Sequence, residues 1–196
     1  MTQKGALRII GDIASVQWGL ITAAQARARG IEGYTLQRLT ARGVLHRVRH
    51  GVYAIVGTPD DDARRIRAEW LAVAGGEEPG APWRADTVAA VVGWESAAVM
   101  HNIGAMPLRA VTLYVRRRRQ SSRAGVKFRT APLARAEICD IDGLPVTTAL
   151  RTLSDLWNPR VVPRQFTNMF LDAEAQGLLT VEDLGAVLGI DPELLL

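Results

Sequence analysis

The chain has 196 residues, 48% of them hydrophobic and 22% charged, with a formal net charge of +4. That is enough apolar material for one ordinary domain or two small ones, and it excludes a disordered polyelectrolyte. A single cysteine, Cys139, excludes an internal disulfide framework and a cysteine-based zinc site, and it suits a reducing cytosol. The opening MTQKGALRII lacks a signal-peptide core, and no stretch approaches the roughly 20 apolar residues of a membrane span. A soluble, cytoplasmic protein is expected.

Charge is spread unevenly. Residues 1–56 carry eight Lys or Arg against two acids, residues 57–136 thirteen against eight, and residues 137–196 three against ten. A basic front implies an anionic partner, and an acidic end suits a basic protein surface.

In chain order, Ala6, Ile9, Ile10, Ile13 and Val16 recur at helical spacing, with Trp18 closing the core they begin. Thr22 and Gln25 have the spacing of a capping box, opening a short helix that stops at Gly30. Ile31 is a core plug in the turn. A second helix runs from about 33 to 42, with Leu36 and Leu39 on one face and Tyr34, Thr35, Gln37, Arg38 and Arg42 mostly off it. LHRVRHGVYAI follows, a two-stranded hairpin broken at His50-Gly51. Helix, turn, helix and hairpin in that order make a winged helix-turn-helix. Gln37 and Arg38 are the expected base readers, with Tyr34, Thr35 and Arg42 beside them. Arg47, Arg49 and His50 on the wing are the expected contacts to phosphate or the minor groove.

Gly57-Thr58-Pro59 is a break, so the expected domains are a DNA-binding domain at 1–58 and a second domain at 59–196. Asp60, Asp61 and Asp62 favour the start of a helix whose inner face is Ala63, Ile66, Trp70 and Val73, with Arg64, Arg65 and Arg67 solvated. GGEEPGAPWRAD reads as a surface loop, and residues 87–104 as a mostly helical apolar stretch. VTLYVRRRRQSSRAGVKFRT alternates like a hairpin, with Val111, Leu113 and Val115 inward, Thr112, Tyr114 and Arg116 outward, and Val126 and Phe128 repeating the pattern. Its tip carries Arg116, Arg117, Arg118, Arg119 and Arg123, a solvated tip at least and a phosphate-binding finger at most. EICDI is a further strand. Thr147 caps a helix reaching Trp157, with Arg151 and Asp155 one turn apart. Helices from 163 to 176 and from Thr180 to Gly189 complete the chain. The fold class is α+β: a winged helix-turn-helix, then a mixed α/β domain with a basic β-hairpin and terminal helices.

Catalytic and metal signatures are absent. Gly93-Trp94-Glu95-Ser96-Ala97 lacks the second glycine of a nucleophile elbow, and Ser96 and His101 lie on different faces of one helix. Asp140 and Asp142 share a strand face, but no acid-x-Lys element accompanies them. The expectation is a non-enzyme with no cofactor and no metal.

GLITAAQARARGI and TLQRLTARGVLHRVRHGVYAI resemble the winged helix of the AbiEi-type antitoxins. GWESAAVMHNIG resembles that family's helix with a Ser-Ala-Ala core and a His near its end. GLPVTTALRTLSDL resembles its strand-to-helix signature, carried by Val146, Thr147, Arg151, Thr152, Leu153, Asp155 and Leu156, and LDAEAQGLLTVEDL its terminal helix pair. The resemblance implies an antitoxin paired with a nucleotidyltransferase-like toxin. It would repress its own operon through the winged helix on inverted-repeat DNA, as two copies of a chain that can be monomeric in solution, and neutralise the toxin through the second domain. Asp172, Glu174, Glu182 and Asp183 on the acidic terminal helices are the candidate toxin-facing residues, and Arg116 to Arg119 a candidate second DNA contact. The alternatives are a stand-alone winged-helix regulator with a sensing or dimerisation domain, and a nucleic-acid enzyme.

Overall fold

The computed structural model describes residues 2–74, 88–105, 107–117, 124–157, 164–189 and 191. They form two compact units, Met1–Ala81 and Pro82–Leu196.

The first unit runs α1 (Gln3–Ser15), β1 (Leu20–Thr22), α2 (Ala23–Ala28), α3 (Gly33–Ala41), β2 (Leu45–Arg49), β3 (Val52–Ile55) and α4 (Asp62–Ala74). Its core joins Ala6 and Ile10 of α1, Ala26 of α2, Leu36 and Leu39 of α3, and Ile21, Ile31 and Leu45. Burial of aliphatic faces at helical spacing is what holds three short helices together, since helices this short are marginal alone. Val16 is not part of that face. It is the C-cap residue of α1 and 74% exposed, because the chain leaves the helix there.

The capping box at the start of α2 is present. Gln25 N–H donates to Thr22 Oγ1 at 3.1 Å, and Thr22 N–H donates to Gln25 Oε1 at 2.9 Å. Gln17, only 1% exposed, pairs with the Gln25 amide through Nε2–H bonds of 3.0 and 2.7 Å in the two directions, and it donates to the Leu20 carbonyl at 3.1 Å. A buried amide costs little when its groups are matched in this way.

Strand β1, absent from the sequence reading, pairs antiparallel with β3 to give a three-stranded sheet in the order β1-β3-β2. Helix α4 belongs to this unit, so the division falls beyond it and not at residues 58 and 59. The turn after Ile55 is real, with Thr58 N–H bonded to Ile55 O at 3.1 Å, but the helix folds back onto β1, β2 and β3. Trp70 meets Trp18 edge to face at 6.3 Å, and Arg67 lies 5.3 Å over the Trp18 ring. Arg64 is not solvated: it is 8% exposed and paired with Asp60, and its N–H bonds Asp61 Oδ1 at 2.7 Å.

The second unit runs β4 (Ala90–Val92), α5 (Trp94–Met100), β5 (Val111–Val115), β6 (Val126–Arg129), a 3-10 turn (Arg135–Glu137), β7 (Ile138–Ile141), β8 (Leu144–Thr147), α6 (Ala149–Leu156), α7 (Arg164–Ala175) and α8 (Val181–Leu188). Among the described residues its sheet has five strands in the order β6-β5-β4-β8-β7. The described part of the stretch expected to be mostly helical, residues 88–104, therefore holds a strand and a helix, not helix alone. A second core joins α5, α6, α7 and α8 around Leu153, Phe166, Phe170 and Leu184.

The expected arginine hairpin is not a hairpin. β5 and β6 pair in parallel, Val111 with Val126 through Tyr114 with Arg129. Alternation reports which face a residue takes, and it is silent on strand direction. β5 is also buried on both faces, including Thr112 and Tyr114: α5 packs on it, and Tyr114 joins a cluster with Val88, Val91 and Ile138. The true tight hairpin joins β7 and β8 through Asp142 and Gly143, at φ 53° and 80°. Two successive left-handed residues are what a two-residue turn between twisted strands demands. The cap of α6 is Thr148, whose hydroxyl accepts from Arg151 N–H at 3.3 Å, whereas Thr147 is the buried last residue of β8. Thr180 and Asp183 form the expected capping box of α8, which ends at Gly189.

No helix among the described residues is long and apolar enough to cross a membrane.

Candidate nucleic-acid interface

Helix α3 buries Thr35, Leu36 and Leu39 and exposes Tyr34, Gln37, Arg38 and Arg42. Tyr34, Gln37 and Arg38 are spaced three and four residues apart, so they form one outward stripe. Arg38 lies 6.0 Å over the Tyr34 ring, a contact that orders both side chains at the helix start. Thr35 is taken out of this face: one turn before Leu39, it is 8% exposed on the core side. Arg42 is exposed but donates to Gln3 Oε1 of α1 at 2.8 Å, which ties the end of α3 to the start of α1. Glu32 occupies the N-cap without a side-chain bond.

On the wing, a β-bulge separates Arg47, opposite Tyr53, from Arg49, opposite Val52. Residues two apart on a regular strand share a face, and the extra residue at Val48 breaks that rule. Arg47 is exposed and donates from Nη2 to His50 Nδ1 at 2.7 Å, beside the turn at Gly51. Arg49 is turned inward and paired with Glu69 of α4, the side chains being 13% and 14% exposed. It therefore anchors the wing to α4 and is not available to phosphate. Arg27 and Arg29, exposed near the end of α2, join the cationic surface. Their signal in the sequence is a pair of cations two apart, following buried Ala26 and just before the Gly30 break.

In the second unit, Arg116 and Arg117 are exposed where β5 ends, while Arg118, Arg119 and Arg123 lie outside the described residues. Of the acidic candidates, Asp172 accepts from Gly104 N–H at 2.8 Å, and Asp183 is held in the α8 capping box by Thr180 N–H at 3.0 Å. Both have local tasks. Glu174 and Glu182 are exposed.

A polar network fastens α6 to the sheet, and of it the sequence signals only the Arg151–Asp155 pair. Tyr114 donates to Asp155 Oδ2 at 2.7 Å and accepts from Trp94 Nε1 at 2.9 Å. Arg151 donates from Nε to Asp155 Oδ1 at 2.9 Å and from Nη1 to Glu137 Oε1 at 2.6 Å. Burial and then the Asp155 carboxylate push the Tyr114 phenol above its ordinary range. Burial works against the Glu137 carboxylate, but the Ala134 N–H and Arg151 bonds outweigh it and hold the group below its ordinary range.

The residues weighed for catalysis have structural partners. Ser96 Oγ accepts from Thr112 N–H at 2.9 Å in a fully buried position. Asp140 accepts from Gly143 N–H at 2.7 Å and closes the β7–β8 turn. His101 Nε2–H donates to the Thr147 carbonyl at 2.7 Å. Among the described residues no three His, Cys, Asp or Glu side chains gather as metal ligands.

Burial holds the His101 imidazole below its ordinary value of 6.5, against the opposing pull of the Thr147 bond. The folded chain thus binds fewer protons than the unfolded chain as pH falls through that value, and stability is lost from there downward. Melting temperatures should drop between about pH 7.5 and about pH 5.5, within the titration range of histidine. His101→Gln should remove part of the slope. An unchanged slope in that variant would place the effect elsewhere.

These features define a winged helix-turn-helix with an outward Tyr-Gln-Arg stripe and a cationic wing, joined to a mixed α/β unit. Residues 9–56 match the model of the family described as "Transcriptional regulator, AbiEi antitoxin", which agrees with the resemblance carried by residues 19–55. No curated protein matches the chain.

Proposed function

We propose that this protein is an autorepressing antitoxin. The first unit binds an inverted-repeat operator as two copies, and the second neutralises a nucleotidyltransferase-like toxin. The observation that carries the reading is the coincidence of the family match over 9–56 with an exposed Tyr34–Gln37–Arg38 stripe on α3. Gln37 and Arg38 read base edges, and Arg47, with Arg27 and Arg29 at the end of α2, holds the backbone. Two copies suit a module of this size, since one recognition helix reads few bases.

The division of labour has a test in charge reversal. Glu174→Lys with Glu182→Lys should abolish protection against the toxin encoded beside this chain and leave operator binding intact. Alanine at Arg116 to Arg119 should weaken operator binding and spare protection. Arg38→Ala should cost about 1–3 kcal/mol at the operator and relax its sequence preference. Operator affinity unchanged in Arg38→Ala would remove α3 from the interface. Protection that survives both glutamate reversals would remove the acidic helices from the toxin contact. The protein itself is proposed to have no catalytic activity: pure chain incubated with DNA, RNA or nucleotides and magnesium or manganese should yield no product.

A further inference from the structure

The second unit holds a cavity of about 280 Å³ lined by Glu95, Pro107, Arg109, Ala110, Lys127 and Gln165. We propose that this cavity binds a nucleoside monophosphate, with the phosphate at Arg109 and Lys127 and the base edge at Glu95 and Gln165.

The argument begins with charge. Among the described residues Arg109, Lys127 and Glu95 carry no hydrogen bond or ion pair through their side chains, although all three face one cavity. Two cations and a carboxylate lining one space suit a ligand that carries both an anionic group and hydrogen-bond donors. A nucleotide has both. Its base amino groups donate to the Glu95 carboxylate, and the Gln165 amide can donate and accept. Pro107 and Ala110 supply apolar contact for the sugar or ring.

The strand that carries Lys127 holds a second cation. Lys127 and Arg129 are two apart on β6 and both exposed, so they share a face of the strand. Arg129 lies 4.6 Å over the ring of Trp94, the residue before Glu95. Trp94 itself is held at φ 58°, a left-handed conformation that is costly for a bulky side chain. The preceding Gly93 lets the Tyr114 ring pack close by, since a Cβ there would stand 2.6 Å from that ring. Strain of this kind persists where surrounding structure enforces it, and it marks candidate binding sites. Here it fixes the start of the helix that carries Glu95 into the cavity lining.

Size narrows the ligand class. Ligand cavities start at roughly 300 Å³, and this one is near that bound. A mononucleotide is of that order, whereas a phosphate ion leaves most of the space empty.

Calorimetric titration of the full chain with AMP, GMP, CMP, UMP and inorganic phosphate tests the proposal. At least one nucleotide should bind with one site per chain, at least tenfold tighter than inorganic phosphate. Arg109→Ala with Lys127→Ala, both exposed and so harmless to folding, should weaken it tenfold or more with the melting temperature unchanged. Glu95→Gln should narrow the gap between nucleotide and phosphate. Arg38→Ala should leave nucleotide binding unaltered, which separates this site from the winged helix. The proposal is overturned if no nucleotide binds the folded chain, if phosphate alone binds as tightly, or if the double variant binds as well as the parent.

Discussion

A fragment ending at Thr58 should fail to fold cooperatively, while one ending at Ala81 should melt as a unit and bind operator DNA. The difference is α4. Its Ile66, Trp70 and Leu71 are at most 2% exposed, Trp70 packs edge to face on Trp18, and Glu69 holds Arg49 of the wing. Losing one such aromatic costs about 3–5 kcal/mol, and stranding one member of a largely buried ion pair costs on the order of 3 kcal/mol. A small domain has little more than that in reserve, about 5–15 kcal/mol. Trp70→Ala and Glu69→Gln in the 1–81 fragment should each lower the unfolding midpoint by amounts in this ratio. Equal thermal stability for the two fragments would show that α4 is dispensable to the winged helix.

Arg151→Ala should destabilise the second unit by on the order of 3 kcal/mol, because it strands the Asp155 and Glu137 carboxylates. Burial disfavours the Arg151 charge, but bonds to Glu137, Tyr114 and Asp155 more than compensate and raise its affinity for the proton. Its guanidinium also lies 5.5 Å from the centre of the Tyr114 ring. Lysine lacks the planar fork that meets two carboxylates at once, so Arg151→Lys should recover only part of the loss. Denaturant unfolding followed through near-ultraviolet signals reads the effect, with operator binding by the same variant retained at a temperature where the first unit stays folded. A full rescue by lysine would reduce the network to simple charge pairing.

What the sequence disclosed was mostly local. Thr22 with Gln25 and Thr180 with Asp183 act across three residues, and both boxes are where spacing put them. Leu36 and Leu39 likewise fix which side of α3 faces inward, leaving Tyr34, Gln37 and Arg38 outside. Thr35 shares the turn position of Leu39, and its hydroxyl disguised a core-facing residue. The non-local features stayed hidden. Nothing in Val111–Val115 and Val126–Arg129 distinguishes parallel from antiparallel pairing, since both directions keep the same alternation. Nor does the apolar stripe of Asp62–Ala74 say which side of Pro59 it packs against. The direction of Arg49 depends on a bulge, which shifts the alternation without a mark in composition. Of the Trp94–Tyr114–Asp155–Arg151–Glu137 network only Arg151 and Asp155, four apart on α6, obey a spacing rule, and the other members lie too far away in the sequence.

The inward turn of Arg49 has a thermodynamic consequence for DNA binding. Each phosphate that a protein cation neutralises releases condensed counterions, and the logarithm of affinity falls by about 0.9 per phosphate with the logarithm of salt concentration. Arg47, exposed on the wing, belongs in that count. Arg49, already neutralised by Glu69, does not. The ion stoichiometry of the complex should therefore drop by about one in Arg47→Ala and stay at its parent value in Arg49→Met. The two neighbouring arginines of one strand thus act on different equilibria, one on the exchange of ions with DNA and the other on the folding of the wing that presents it.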